Sequence, residues 1–218
     1  FVGITSALEG APNLSLGNVL GANIANISLV AGAAALFVGR VNVHGEFLRR
    51  DVWIALGAGV LPIILVFDGE LSRVDGLILL SLYGAYASSF FKKRFLEIGN
   101  EIREGTFIHK FFRKINHIDG SKTKETARLF LGIAVLLASA SLIVNAAQSL
   151  AAAANIPVFL IGLILLSIGT TLPELGFSIK SLQDKEPTMF FGNLLGSIIA
   201  NSTLIVGLAA IISPIKVV

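Results

Sequence analysis

The sequence predicts an all-α fold, a polytopic membrane bundle of helices with an inverted internal repeat. Three observations carry that expectation. Hydrophobic residues fill 54% of the 218 positions and charged residues only 14%, with a mean hydropathy of +0.82; soluble domains carry about 25% charged residues. Six stretches, 14–38, 51–67, 72–91, 128–150, 157–180 and 188–213, are apolar enough to cross a bilayer, which takes about 17–25 residues. One passage of the chain is also written twice.

In chain order, residues 1–8 open the sequence with FVGITSAL and read as the tail of a helix that began earlier, so the chain is expected to be an internal piece of a longer protein. Short joints separate most spans: Gly10-Ala11-Pro12-Asn13, Asp68-Gly69-Glu70, Asn155-Ile156-Pro157 and Lys185-Glu186-Pro187. Each carries residues that break helices or favour turns. The expected organisation is a first half over 1–91, a basic loop over 92–127, and a second half over 128–218. The loop mixes Lys and Arg with Phe95, Phe107, Phe111 and Phe112. It reads either as a lipid-surface helix on anionic headgroups or as a solvated linker.

The charge map orients the spans. Of 17 Lys and Arg residues, 15 fall in or beside 39–50, 92–127 and 181–187; only Arg73 and Lys216 fall on the other side. Positive loops stay cytoplasmic, so those three stretches are expected on that face.

Residues 17–36 and 192–211 align at an offset of 175 (192 − 17), with 11 of 20 positions identical: Gly17, Asn18, Leu20, Gly21, Ile24, Ala25, Asn26, Leu29, Gly32, Ala34 and Ala35. Pro12 meets Pro187 and Ser6 meets Ser181. The copies lie in spans one and six, five crossings apart, and so run in opposite directions. Inverted repeats mark secondary transporters with a site near the midplane. GNVLG and GNLLG taken singly also read as small-xxx-small packing motifs. The asparagines Asn18, Asn23, Asn26, Asn193 and Asn201 are harder to explain by packing, because an idle amide in an apolar run is costly.

The fifth span, IPVFLIGLILLSIGTTLPELGFSIK, contains Glu174. An intramembrane carboxylate is a functional-site hypothesis by default. Pro173 lacks an N–H, which frees the carbonyl of Gly169 four residues back, and Thr170 and Thr171 add hydroxyls. Carboxylate, carbonyl and hydroxyl oxygens suit hard cations such as Na⁺ or Ca²⁺. The bland alternative is a kinked helix whose Glu hydrogen-bonds a neighbour.

At these residues the chain resembles a family. GTTLPEL (169–175) followed by GNLLGSIIAN (192–201) resembles the second α-repeat of the Na⁺/Ca²⁺ exchanger family, among the cation/Ca²⁺ antiporters, and GNVLGANIAN (17–26) resembles the end of the first. The resemblance implies ten helices in the whole protein, about one and a half before Phe1 and two after Val218. It implies that Glu174 ligates the transported cation, with a mate two positions before Phe1. It makes Thr170 and the Gly169 carbonyl Na⁺ ligands. It turns Asn26, Asn201 and Ser197 toward the ions from unwound parts of spans one and six. Ala22 joins the site without a hydroxyl, since the family's GSN reads Gly21-Ala22-Asn23 here and Gly196-Ser197-Ile198 in the second copy. Asn201 stands where many exchangers carry Asp. Helix breaks at Pro173, Gly17–Gly21 and Gly192–Gly196 are expected to supply carbonyls, with Thr171, Asn18, Asn193 and Asn23 shaping the site.

The implied function is Na⁺/Ca²⁺ antiport by alternating access, with span four and a helix before Phe1 sliding against the core. The alternatives are cation/H⁺ exchange, Glu174 carrying a proton in place of Na⁺, and a channel or structural bundle without coupling. The expected partners are the lipid bilayer and small inorganic cations, with no nucleic acid, ATP or cofactor. The chain has no cysteine, which removes thiol chemistry, and no Walker A, nucleophile-elbow or HExxH sequence, so an enzyme is not expected.

Overall fold

A computed structural model describes residues 1–38, 46–103 and 121–216. Residues 39–45 and 104–120 lie outside the described residues; they hold His44, His109, His117, Phe107, Phe111 and Phe112. The lipid-surface reading of 92–127 falls largely there too.

The described chain is almost wholly helical. Helix α1 is Val2–Leu8 and α2 is Pro12–Ala25; a wide π-helical turn, Asn26–Val30, joins α2 to α3, Ala31–Val38. Helix α4 is Glu46–Leu65, ending in a tight turn Val66–Asp68, and α5 is Arg73–Arg103. Helix α6 is Ser121–Ala154. The fifth span is α7, Val158–Leu160, a π turn Ile161–Leu166, and α8, Ser167–Gln183; the sixth is α9, Pro187–Ile199, a π turn Ala200–Ile205, and α10, Val206–Ile212. Two short strands, β1 (Glu70–Leu71) and β2 (Ile215–Lys216), pair antiparallel.

Local chemistry sets the ends. Proline opens α2 and α9, where a missing N–H costs nothing. Ser72 and Asp75 cap α5 reciprocally: Asp75 Oδ2 accepts from the Ser72 amide at 2.8 Å and its hydroxyl at 2.7 Å, while the Asp75 amide donates to Ser72 Oγ at 3.3 Å. Both are the two arms of a capping box. The polar stretch expected as a loop over 92–127 is helical at both ends, through Arg103 and again from Ser121.

Five of the described helical segments are long and apolar enough to cross a bilayer: Pro12–Leu36, Arg49–Asp68, Thr126–Ala154, Val158–Gln183 and Pro187–Ile212. The expected span 72–91 falls on the first part of α5 and is not among those five. The strand pair bears on the count. β1 follows span two and β2 follows span six. Their pairing puts both on one membrane face, which requires an even number of crossings between them; with 72–91 included that number is four.

The chain divides into two compact units. Phe1–Tyr83 with Ala140–Val218 forms the larger. Its core has three clusters. Ala7, Leu16, Val19, Leu71, Leu79, Val206 and Ile215 form one beside the strands. Ala11, Leu14, Val144, Ala147, Ala151, Ile161 and Leu166 pack α6 on spans one and five. Val30, Ala34, Leu182, Phe190 and Leu194 form the third. The second unit, Gly84–Ser139, comprises the rest of α5 and the first part of α6. Leu129, Phe130, Leu131, Val135 and Leu136 stand exposed there. On a helix of this hydropathy such side chains are suited to lipid tails.

Candidate functional site

The repeat is present in the backbone as well as in the letters. The π turns begin at Asn26 and, 175 residues on, around Asn201, at Ala200. In each, a hydroxyl takes the carbonyl four residues back: Ser28 Oγ to Ile24 O at 2.7 Å, Thr203 Oγ1 to Ile199 O at 2.6 Å. Such back-bonding competes with the helix's own N–H, and π turns recur at functional sites.

These turns correct one expectation. Gly17–Gly21 and Gly192–Gly196 do not break their helices; both lie within regular α2 and α9. Pro173 also sits inside a continuous α8, because losing one N–H bends a ladder without ending it when neighbouring bonds hold. The irregular backbone of span five lies earlier, at Ile161–Leu166. Gly17 and Gly21 serve packing: a Cβ at Gly17 would meet the Phe159 carbonyl, and one at Gly21 the Leu163 carbonyl and Ser167 side chain. Gly162 answers from span five, 2.5 Å from Leu14 O by the same measure. Beyond their own chain neighbours and helix backbone, no described atom comes within 4 Å of a Cβ at Gly192 or Gly196. The packing reading of the glycine motif therefore holds for the first copy.

Span five carries the acid. Glu174 is half-buried, and its Oε1 accepts a hydrogen bond from Ser197 Oγ of span six at 3.1 Å. One turn back, Thr171 Oγ1 donates to Ser167 O at 2.6 Å. Thr170 Oγ1 lies 3.2 Å from both Ser167 O and Asn18 Oδ1 of span one. Span five thus touches both copies through polar contacts, Thr170 to the first and Glu174 to the second. Gly169 is exposed and Ala22 is buried. Asn193 is half-buried.

Between the copies, Asn23 Nδ2 donates to Ser202 Oγ at 2.6 Å, and Asn201 Nδ2 reaches Asn23 Oδ1 at 3.5 Å. Asn26 is 1% exposed, yet neither atom of its amide has a hydrogen-bond partner among the described residues. A buried amide left so is costly in an apolar setting, which marks it as a group held for something else. Among the described residues no ion pair involves Glu174, and no three His, Cys, Asp or Glu side chains gather into a metal cage. The oxygen set of one carboxylate, hydroxyls, amides and carbonyls is of the kind that suits a hard cation.

Two participants escaped the sequence reading: Ser167, whose carbonyl receives both threonines, and Ser202, the partner of Asn23. The spacing of Ser167, three and four residues before Thr170 and Thr171, is a legible helical signal. Ser202 had none, since its role depends on which helix crosses it.

The model for the family described as sodium/calcium exchanger protein matches residues 1–92 and 124–218. The chain belongs to that family. Relatives of this chain include the inner membrane protein YrbG of Escherichia coli (strain K12), 33% identical over 216 residues, which cover 98% of this chain and 64% of that protein. The sodium/calcium exchanger MaX1 of Methanosarcina acetivorans is 28% identical over 242 residues, covering 98% and 69%. A solved structure of the sodium-calcium exchanger NCX_Mj superposes with a TM-score of 0.60 at 22% identity, covering 99% of this chain and 66% of that one. The last likeness shows the fold. The chain is a multi-pass integral membrane protein, and it spans about two-thirds of the length of these relatives.

Proposed function

We propose that this chain is the ion-binding portion of a secondary antiporter that exchanges Na⁺ for Ca²⁺ across a membrane by alternating access. The observation that carries the reading is Glu174. It stands within an apolar helix, meets no positive side chain among the described residues, and is contacted instead by the Ser197 hydroxyl at 3.1 Å. A carboxylate in a bilayer without a protein counter-charge is open to a mobile cation. In this reading Glu174 binds Ca²⁺ and Na⁺ in turn, with Ser197, Thr170, Asn26, Asn201 and the Gly169 carbonyl as further ligands. The halves over 1–91 and 128–218 act as inverted partners. Span four moves against the core on the small face made by Ala140, Val144, Ala147 and Ala151, which is supported by its contact with Ala11 and Leu14. Two relatives, the sodium/calcium exchanger MaX1 and the putative antiporter CaxA of Alkalimonas amylolytica, support the same class.

The test is uptake of radioactive Ca²⁺ into proteoliposomes holding the intact protein. An outward Na⁺ gradient is expected to drive uptake, and Glu174→Gln to abolish it. Asn201, in place of a further acid, favours a second reading, Ca²⁺/H⁺ exchange. Uptake driven by a pH gradient and not by a Na⁺ gradient would replace the first reading with the second. Flux that follows voltage without counterflow would make the protein a channel.

A further inference from the structure

The two copies align residue by residue, so every contact between them in one sense defines a counterpart pair of positions in the other. Asn23 donates to Ser202 at 2.6 Å. Moved by 175, Asn23 becomes Ile198 and Ser202 becomes Ile27. A buried polar pair on one side of the crossing is matched by two isoleucines, which line one apolar cavity together with Leu20 and Ile24. Exchanging both members of a hydrogen-bonded pair for apolar groups leaves nothing unsatisfied, so that substitution is self-consistent.

Asn26 is the exception. Its counterpart Asn201 gives Nδ2 to Asn23 Oδ1 at 3.5 Å. The position that would receive Asn26 in the same way is 198, an isoleucine without an acceptor. That explains why Asn26, 1% exposed, has both amide atoms without a partner among the described residues while Asn201 does not.

The two amides therefore differ in what orients them. Asn201 has its NH₂ engaged by Asn23, and Asn23 is fixed in turn by Ser202. This relay commits Oδ1 of Asn201 as its one coordinating atom. Asn26 has no hydrogen bond among the described residues that commits its Oδ1 in the same way. We propose that Asn23 is a positioning residue for the cation site: it presets Asn201 as an oriented oxygen ligand, whereas Asn26 has no such orienting partner. The inference rests on the exchanger reading given above. It concerns the ligand field that Ca²⁺ meets, because orienting groups behind a metal ligand set affinity as well as geometry.

The experiment measures exchange of radioactive Ca²⁺ for unlabelled Ca²⁺ across proteoliposomes holding the intact protein, which makes the result independent of the counter-ion. Asn23→Leu keeps the volume and removes the relay; it is expected to raise the KM for Ca²⁺ by about 10-fold or more, the scale of orienting groups at metal sites, with the maximal rate little changed. The paired variant Ile27→Ser with Ile198→Asn installs the same relay behind Asn26 and is expected to lower KM. An unchanged or lowered KM in Asn23→Leu overturns the proposal. If that variant is not recovered folded, the paired variant decides alone: a KM that stays or rises overturns it. Glu174→Gln separates the two layers. Exchange that survives Glu174→Gln sinks the exchanger reading itself, whereas loss in Glu174→Gln with no response to the relay variants sinks only the role of Asn23.

Discussion

The turn before the first copy and the turn before the second make the same bonds. Ala11 N–H reaches Ser6 O at 2.8 Å, and Glu186 N–H reaches Ser181 O at 2.8 Å. Ser6 Oγ donates to Val2 O, and Ser181 Oγ to Phe177 O, at 2.8 and 2.9 Å. The likeness continues through both π turns. Yet the side chains of the copies meet different company. Gly17 and Gly21 lie against the backbone of span five, Asn26 is unpartnered, and Asn201 is held by Asn23. Local sequence sets the path of the chain, and it is conserved between the copies. What each side chain does is set by the helix that crosses it, and there the copies diverge.

The crossing at Gly21 is where the first copy can be broken most severely. Gly21→Val adds a branched side chain where even one Cβ meets the Leu163 carbonyl and Ser167. Backbone in a packed span cannot yield as a flexible side chain would. Overpacking costs about 1–3 kcal/mol, occasionally more, and this site belongs at or above the upper end. Thermal unfolding of the intact protein in detergent should show a large fall in midpoint or no folded protein. A midpoint within experimental scatter of the parent would mean the spans do not approach as closely as described.

The asparagines allow a comparison with opposite signs. Asn26→Leu removes a buried amide that makes no bond, so the cation-free protein should gain up to about 1–3 kcal/mol, the cost of an unsatisfied buried polar group. Asn201→Leu strands Asn23 Oδ1 and should lose about 1 kcal/mol, at the low end because the bond spans 3.5 Å and long bonds are weak. Both should impair Ca²⁺ exchange. Unfolding midpoints measured in chelator test the signs; equal losses in both variants would show that Asn26 is satisfied after all.

The fold class was legible because bilayer crossing leaves a length and a hydropathy that few other structures need. The unusual residues of span five were legible for the same reason: Thr170, Thr171, Pro173 and Glu174 are conspicuous in an apolar run. The backbone was less so. Gly17 and Gly192 suggest a break, since glycine weakens helices, but packing against Phe159 keeps Gly17 helical, and the widened turns begin at Asn26 and Ala200 instead. Ser28 and Thr203 leave no distinct signature of the bonds that accompany those turns. The pairing of Glu70–Leu71 with Ile215–Lys216 joins residues far apart in sequence through two-residue strands, too short to show any alternation.

The smallest expected effect separates the two turns themselves. Gly10 has φ +74° and its counterpart Lys185 has φ +61°, so the same left-handed residue is written once as glycine and once as lysine. An L side chain in that region costs roughly 1–2 kcal/mol. Apart from its two chain neighbours, no described residue comes within 4 Å of a Cβ at Gly10, so Gly10→Ala isolates the backbone term and should lose about 1 kcal/mol. Lys185→Gly should gain less than that, because glycine also gives the unfolded chain more freedom to lose. The Lys180–Asp184 ion pair one turn earlier, 2.7 Å long with side chains 68% and 52% exposed, is too exposed to alter the balance by more than a few tenths of a kcal/mol. Unfolding midpoints of the two variants should move in opposite directions, with the larger shift at Gly10. A fall in both would mean that Lys185 contributes through its charge and not through its backbone.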